Sequence, residues 1–304
     1  MKIYLSKINE SWIVDRVRKE WYQNNKKIST NSIKKSDLIW IIAPWIWQKI
    51  SRKQLIEKKV ICTYHHFDFD KFGNEERNSF YELDQYVNEY HVVSKKTQKQ
   101  LETLTDKKIT SIPFWLNQNI WFPLPDKNKL KKELGFLEKD YLVGSFQRDT
   151  EGKDLISPKL VKGPDIFLDI VTDIFYKNKN LKVILTGKRR GYLIENFEKR
   201  GIPYKYFEMV NFSKLNSLYN ILDLYIVSSR VEGGPQAILE AAATKTPIIS
   251  TDVGVASEIL HKKAIFENNY KEASPMTDYA YQNVEKFKIP SGFDNFISML
   301  SKVK

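Results

Sequence analysis

The chain has a single cysteine, Cys62, and only four histidines in 304 residues. One thiol excludes a disulfide framework and points to a reducing compartment, the cytoplasm. No His-Glu-x-x-His or paired-cysteine spacing is present, so the sequence shows no metal signature. Long apolar runs are missing as well. The longest, Leu38 to Trp47, is interrupted by Pro44 and reaches about half the ~20 residues that a membrane-spanning helix needs. No leader pattern is visible at the start. The expectation is a soluble or peripheral protein, long enough for two domains with a core each.

What the chain has in excess is positive charge, 49 Lys and Arg against 37 Asp and Glu. Residues 1–60 hold 14 of those cations against 5 acidic groups, a net of +9 out of +12. Such a basic region suits nucleic acid, an anionic membrane surface or an acidic acceptor. No helix-turn-helix, zinc-finger or RNA-binding pattern occurs, which argues against nucleic acid as a partner. Trp40, Trp45 and Trp47 beside Lys49, Arg52 and Lys53 fit a peripheral site on an anionic lipid surface. The same tryptophans also read as core or cleft residues, and the lysines as solvated charge in a Lys-, Asn- and Ile-rich composition.

Strand and helix patterns alternate along the chain, as a doubly wound α/β fold requires. In the first half, strands are expected at Lys2 to Ser6, Asp37 to Ala43, Lys59 to Tyr64, Tyr90 to Ser94 and Ile109 to Pro113. Helices are expected at Ser11 to Gln23 and Ile46 to Glu57. The proline-rich passage around Phe122-Pro123-Leu124-Pro125 sets a border near residue 122, giving domains 1–121 and 122–304. Ligands of such sheets sit at the carboxyl ends of strands. That rule selects the loop after Ser6, the Pro44 to Trp47 segment and Tyr64-His65-His66-Phe67-Asp68. In the last of these, His65-His66-Phe67-Asp68-Phe69-Asp70 imitates a metal cluster or an Asp-x-Asp motif, with no other ligand pattern to support it.

The most informative stretch is Ser229-Arg230-Val231-Glu232-Gly233-Gly234-Pro235-Gln236-Ala237-Ile238-Leu239-Glu240. It follows the apolar strand Leu222 to Val227 and opens a helix running from Gln236 to Thr244. Pro235 suits a first helical position. Gly233 and Gly234 admit close approach to the backbone, and the free amides and dipole of a helix start favour an anionic phosphate. Glu232 in the loop and Glu240 in the helix are placed to grip two parts of one ligand. Taken alone, Glu-Gly-Gly-Pro is also what a turn with a helix cap looks like.

From Asp223 through Gly254 the sequence resembles the donor-binding half of retaining GT-B glycosyltransferases of glycosyltransferase family 4. There too a Ser precedes a Glu, and a second Glu follows after seven residues, as Ser229, Glu232 and Glu240 do here. Thr251-Asp252-Val253-Gly254 is similar to that family's next strand and loop. The resemblance implies two Rossmann-like domains facing a cleft and a metal-independent transfer from a nucleotide sugar, with no cofactor. It also implies a C-terminal helix, about 292–304, returning to the first domain.

Several roles follow from the resemblance. Arg148 and Lys162 match the cations that bind the donor diphosphate, although the insertion Asp149 to Lys159 separates them and brings Lys153 and Lys159 as alternatives. Glu240 corresponds to the ribose ligand, and Glu232 with the Gly233 and Gly234 amides to the groups holding sugar and β-phosphate. Met209, Val210 and Asn211, in the segment Tyr206 to Phe212 that resembles the strand and following backbone facing the donor base, are base-pocket candidates. Gly187 is a further donor-side candidate, at the end of strand Leu181 to Thr186. The basic turn Gly187-Lys188-Arg189-Arg190-Gly191 lacks a Walker pattern and reads as solvated. Either His65 or His66 fills the place of the family's histidine near donor sugar and acceptor. The acceptor is a glycan, a lipid-linked molecule or another group. A degenerate, non-catalytic sugar-nucleotide or glycan binding module and a GT-B sugar-nucleotide epimerase stay open as alternatives.

Overall fold

The structure is a computed structural model that describes residues 1–8 and 13–303. Two compact units emerge, one from Met1–Trp115 with Ile289–Lys304, the other from Leu116–Lys288. The changeover near Trp115 and the return at Ile289 compare with a sequence border drawn near residue 122.

The first unit runs β1 (Ile3–Leu5), α1 (Ile13–Asn24), β2 (Leu38–Ile41), α2 (Arg52–Glu57), β3 (Lys59–Tyr64), α3 (Asn74–Asp84), β4 (Glu89–Val92), α4 (Lys95–Leu101) and β5 (Ile109–Ser111). Its strands pair in parallel in the order β1-β2-β3-β4-β5. Parallel strands with helices on both faces are apolar throughout, and all four side chains of β2, Leu-Ile-Trp-Ile, are buried. The core is aromatic. Trp21 of α1 meets Trp40 of β2 edge to face at 5.3 Å, and Trp115 lies 4.6 Å from Phe293. The Trp115 indole donates to the buried Glu20 carboxylate at 2.9 Å.

In the second unit come α5 (Lys127–Glu133), β6 (Tyr141–Ser145), α6 (Pro164–Lys177), β7 (Leu181–Thr186), α7 (Gly191–Arg200), β8 (Tyr204–Phe207), α8 (Phe212–Ile221) and β9 (Leu224–Val227). They are followed by α9 (Gln236–Ala243), β10 (Ile248–Thr251), α10 (Ala256–Ile259), β11 (Ile265–Phe266) and α11 (Thr277–Val284). The sheet order is β11-β10-β9-β6-β7-β8, again parallel. The last helix, α12 (Asp294–Ser301), belongs to the first unit, where Phe296 stacks on Trp40 at 5.5 Å and on Phe114 at 5.9 Å.

Local departures from expectation have local causes. The helix expected over Ile46 to Glu57 is broken. A 3₁₀ segment, Pro44–Lys49, gives way at Ser51, whose side chain accepts from the Gln54 amide and starts α2 afresh. The strand expected within Tyr206 to Phe212 is β8 and ends at Phe207, because Asn211 caps α8 by accepting from the Lys214 amide at 2.9 Å. Pro235 is the N-cap of α9 rather than its expected first residue, so the helix begins one position later, at Gln236. The start expected for α1, Ser11 and Trp12, lies outside the described residues, as does Lys304.

The tryptophan trio does not form one exposed belt. Trp40 and Trp47 are buried, and only Trp45 is exposed, at 49%. Trp47 donates its indole N–H to Ser79 at 3.2 Å, which anchors it inward. Among the described residues no helix is long and apolar enough to cross a membrane.

Candidate functional site

In the second sheet the central strand β6 is followed in sequence by β7 on one side and flanked by β9 on the other. The chain therefore reverses its winding beside β6, and the crevice at the carboxyl ends of such strands is where open α/β sheets take ligands. Gln147 and Arg148 follow β6, and Ser228 to Pro235 follow β9.

These loops are tied together by side chains. Lys162 Nζ is ion-paired with Glu232 Oε1. Gln147 donates from Nε2 to the Lys162 carbonyl at 2.8 Å and accepts at Oε1 from Ser229 Oγ at 3.1 Å. The Ser229 hydroxyl also lies 3.5 Å from Glu232 Oε1. Arg148, next to Gln147, is exposed. Lys153 is exposed in the insertion, and the Lys159 amide donates to the Asp149 carbonyl at 2.8 Å. A further cation, Arg230, is committed elsewhere through a bidentate pair with Asp165 at 2.8 and 2.6 Å, which holds the Asp165 carboxyl below its usual range.

The loop carrying Glu232 is held by backbone. The Arg230 and Val231 amides donate to the Val161 carbonyl at 2.9 and 3.1 Å, and Thr251 Oγ1 donates to the Ser229 carbonyl at 2.6 Å. Two glycines make the approach possible. A Cβ on Gly163 would stand 1.8 Å from the Ser228 carbonyl oxygen, and one on Gly254 would stand 2.1 Å from that of Gly233. Both glycines have positive φ, +59° and +50°.

Glu240 is 7% exposed on α9, and its Oε2 accepts from the Tyr219 hydroxyl of α8 at 3.1 Å. Burial drives the Tyr219 phenol well above its ordinary pKa, with the Tyr225 and Glu240 charges adding to the rise, so it acts as a donor. Gly233 is buried, while Gly234, Pro235 and Gln236 at the start of α9 are half-buried. Gly187 sits after β7 with φ +87° and accepts at its carbonyl from the Tyr206 hydroxyl at 2.9 Å. Met209 is 66% exposed, Val210 half-buried and Asn211 the exposed cap of α8.

The two adjacent histidines separate in the first unit. His65 Nε2 lies 2.9 Å from the Ile42 carbonyl, and its ring leans on Trp45 and Phe114 at 6.0 and 5.9 Å. Burial lowers its pKa to about 4, so the ring is neutral near pH 7. His66 is exposed. Asp70 lies in the 3₁₀ turn Phe69–Lys71 with Asp68 as its N-cap, so the extended Asp-x-Asp geometry is not formed. Among the described residues no group of three or more His, Cys, Asp or Glu is placed to hold a metal ion.

Sequence reasoning overlooked the buried His91. It spans the Thr63 hydroxyl at 2.9 Å and the Ile112 carbonyl at 2.8 Å, and the Trp40 indole donates to the same hydroxyl. Gln147 and Tyr219 were also not singled out. The position of Gln147 two residues after a central strand was the signal available for it. Arg190 is a correction: Lys188 and Arg189 are exposed as a solvated turn would have them, but Arg190 is 2% exposed.

Two Rossmann-like parallel-sheet domains, the second with its cations and carboxylates at the switch point, define a GT-B fold. Residues 127–275 match the model of the family described as Glycosyl transferases group 1. It is 29% identical over 142 residues to the lipopolysaccharide core biosynthesis mannosyltransferase LpsB of Rhizobium meliloti, covering 44% of this chain and 38% of that protein. Over 181 residues it is 26% identical to the alpha-galactosylglucosyldiacylglycerol synthase of Streptococcus pneumoniae, covering 54% and 42%. The chain thus spans well under half the length of these two relatives. The crystal structure of Anabaena Alr3699/HepE in complex with UDP shares the fold at a TM-score of 0.75 and 14% identity, over 99% of both chains.

Proposed function

We propose that this protein is a retaining glycosyltransferase that moves a sugar from a nucleotide-sugar donor to a glycan or lipid-linked acceptor without a metal. The observation that carries the reading is the meeting of Lys162, Glu232, Gln147 and Ser229 at the switch point of the matched domain, with Arg148 exposed beside them. The relatives support it: two are named as a mannosyltransferase and a glycolipid synthase, and a structural neighbour holds UDP.

In this reading Arg148 and Lys162 neutralise the leaving nucleoside diphosphate as the glycosidic C–O bond breaks. Fixed cations there stabilise the transition state more than the ground state, because charge grows on the leaving oxygen. Glu240 accepts hydrogen bonds from ribose hydroxyls, and Glu232 with the Gly233 and Gly234 amides holds the sugar and β-phosphate. The base rests on the backbone of Met209, Val210 and Asn211 beside Gly187. The acceptor hydroxyl attacks from the face that the phosphate leaves, and a phosphate oxygen takes its proton, so no protein base is required. Of the two histidines, the neutral and anchored His65 is assigned the place of the family's histidine. Trp45 with Lys49, Arg52 and Lys53 is assigned to an anionic surface, which acidic liposomes at low salt should retain.

Thermal-shift and hydrolysis measurements against a panel of nucleotide sugars test the proposal. Stabilisation and slow release of the nucleoside diphosphate by one member are expected. No response to any member overturns the reading.

A further inference from the structure

Arg190 sends its guanidinium into the second unit, where Nε lies 2.9 Å from Asp149 Oδ2. The two residues are 2% and 1% exposed. Neither ionic form is comfortable there. Burial pushes the Asp149 carboxyl up to about 6 against the pull of Arg190 and of the Leu193 and Tyr192 amides, and burial lowers Arg190. Among the described residues Arg190 Nη2 and the neighbouring Thr150 Oγ1 find no hydrogen-bond partner. A buried ion pair with incomplete hydrogen bonding is a poor device for stability, since apolar side chains of similar volume usually serve a core as well or better. Its place in the chain suggests a different purpose.

Asp149 is the fourth residue after β6. Two residues before it, Gln147 is fastened to Lys162 and Ser229 through its side chain. Asp149 is fastened to the turn between β7 and α7, by the ion pair and by amide bonds from Asp149 and Thr150 to the Arg189 carbonyl at 3.0 and 3.3 Å. Exposed Arg148 sits between these two anchors. The insertion that follows is stapled to the same turn. Thr150 bridges to Pro158, Arg189 Nη1 donates to the Gly152 carbonyl at 3.0 Å, and the bare Cα of Gly191 admits the Leu155 carbonyl, which would stand 2.1 Å from a Cβ.

We propose that the buried Asp149–Arg190 pair is a positioning device for Arg148, fixing the main chain on its far side while Gln147 fixes the near side, so that its guanidinium is presented to the donor diphosphate in one place. Arg190 and Asp149 touch neither donor nor acceptor in this scheme. Fixing the cation beforehand removes the reorganisation that would otherwise accompany charge development on the leaving group.

The inference rests on the glycosyltransferase reading, and a cycle of variants separates the two. Arg148→Ala is made in the wild-type chain, in Asp149→Asn and in the double variant Asp149→Leu/Arg190→Met. In the wild type it is expected to lower kcat by about 100-fold, in the range found for removing one donor to a developing charge. In both paired-site backgrounds it is expected to cost less than about 10-fold, because coupled residues are non-additive. The double variant should melt at or above the wild-type temperature, yet transfer more slowly at nearly unchanged donor KM. The same cycle is read on the Kd for UDP, ADP and GDP, which requires no turnover. A wild type that turns over no nucleotide sugar refutes the enzyme reading alone, since the binding cycle still reports on the pair. An Arg148→Ala penalty equal in all backgrounds, in kcat or in Kd, overturns the inference. Asp149→Asn keeps the side-chain shape and carries the test if the double variant does not fold.

Discussion

Lys162 and Glu232, in loops that follow different strands of the second sheet, are joined as an ion pair across a sequence separation of 70 residues. The cation assigned to the diphosphate is thus held by the carboxylate assigned to the sugar. The side chains are 21% and 13% exposed, so solvent screens the attraction only in part.

Removing the carboxylate should therefore release the lysine. Glu232→Gln is expected to bind UDP more tightly by about 1 kcal/mol, roughly five-fold, the upper end for a partly screened pair. Transfer should fall in the same variant because the sugar loses its ligand. Calorimetry on the nucleotide decides it, and unchanged or weaker binding would contradict the roles given to both residues.

Glu240 invites a separation of stability from binding. Glu240→Ala leaves the buried Tyr219 hydroxyl without its acceptor, at a cost of about 1–3 kcal/mol in unfolding free energy. Glu240→Gln keeps an acceptor for Tyr219, so its melting temperature should stay near wild type. Donor binding should nonetheless weaken by roughly 1.5–3 kcal/mol through loss of the charged acceptor. A Gln variant with wild-type donor affinity would remove Glu240 from the site.

The glycines flanking the Glu232 loop make a graded series. Gly163→Ala and Gly254→Ala drive a Cβ into backbone oxygens 1.8 and 2.1 Å away, on top of positive φ. Each is expected to cost more than about 2 kcal/mol and to depress donor binding with it. Gly201, with φ +63° and nothing within 4 Å of the added atom, is the control. Gly201→Ala should cost only about 1–2 kcal/mol, the left-handed backbone strain. Urea denaturation compares them, and equal losses at all three positions would show that close approach is irrelevant.

Acid should loosen the first unit. Burial lowers His65 to about 4 and His91 to about 3, below the usual 6.5. Folding thus favours the neutral rings: their contribution is whole above pH 6.5 and is lost as pH falls toward 4 and 3. Each ring steepens that fall by up to about 1.4 kcal/mol for every pH step of one. Asp149 works the other way, because its carboxyl is raised to about 6 and its contribution, present below about 3.8, is lost as pH rises through 6. His91→Gln should flatten the fall of unfolding free energy between pH 6.5 and 4. An unchanged slope would mean that His91 is not held neutral by the fold.

The strand-turn-helix grammar of the second sheet was open to sequence reading because strands β6, β7 and β9 are short apolar runs, each ended by glycine, serine or charge. Lys162 and Glu232 could be named from a family pattern, but not their contact, since no local rule joins residues on separate loops. Arg190 was hidden by its company. Three successive basic side chains read as solvated, because burying a guanidinium is costly without a partner, and that partner, Asp149, lies upstream in an insertion. The break at Ser51 was invisible for a different reason: the apolar pattern of Ile46 to Leu55 continues across it, and only the cap reveals the restart.

The return of α12 to the first unit orders events on the ribosome. Phe293 and Phe296, which complete the packing around Trp21, Trp40 and Trp115, are made after every residue of the second unit. The second unit has all its strands once residue 288 has emerged, whereas the nascent first unit carries an unfinished aromatic core until Phe296 has followed. That interval, with apolar rings uncovered, is when chaperone occupancy should be greatest.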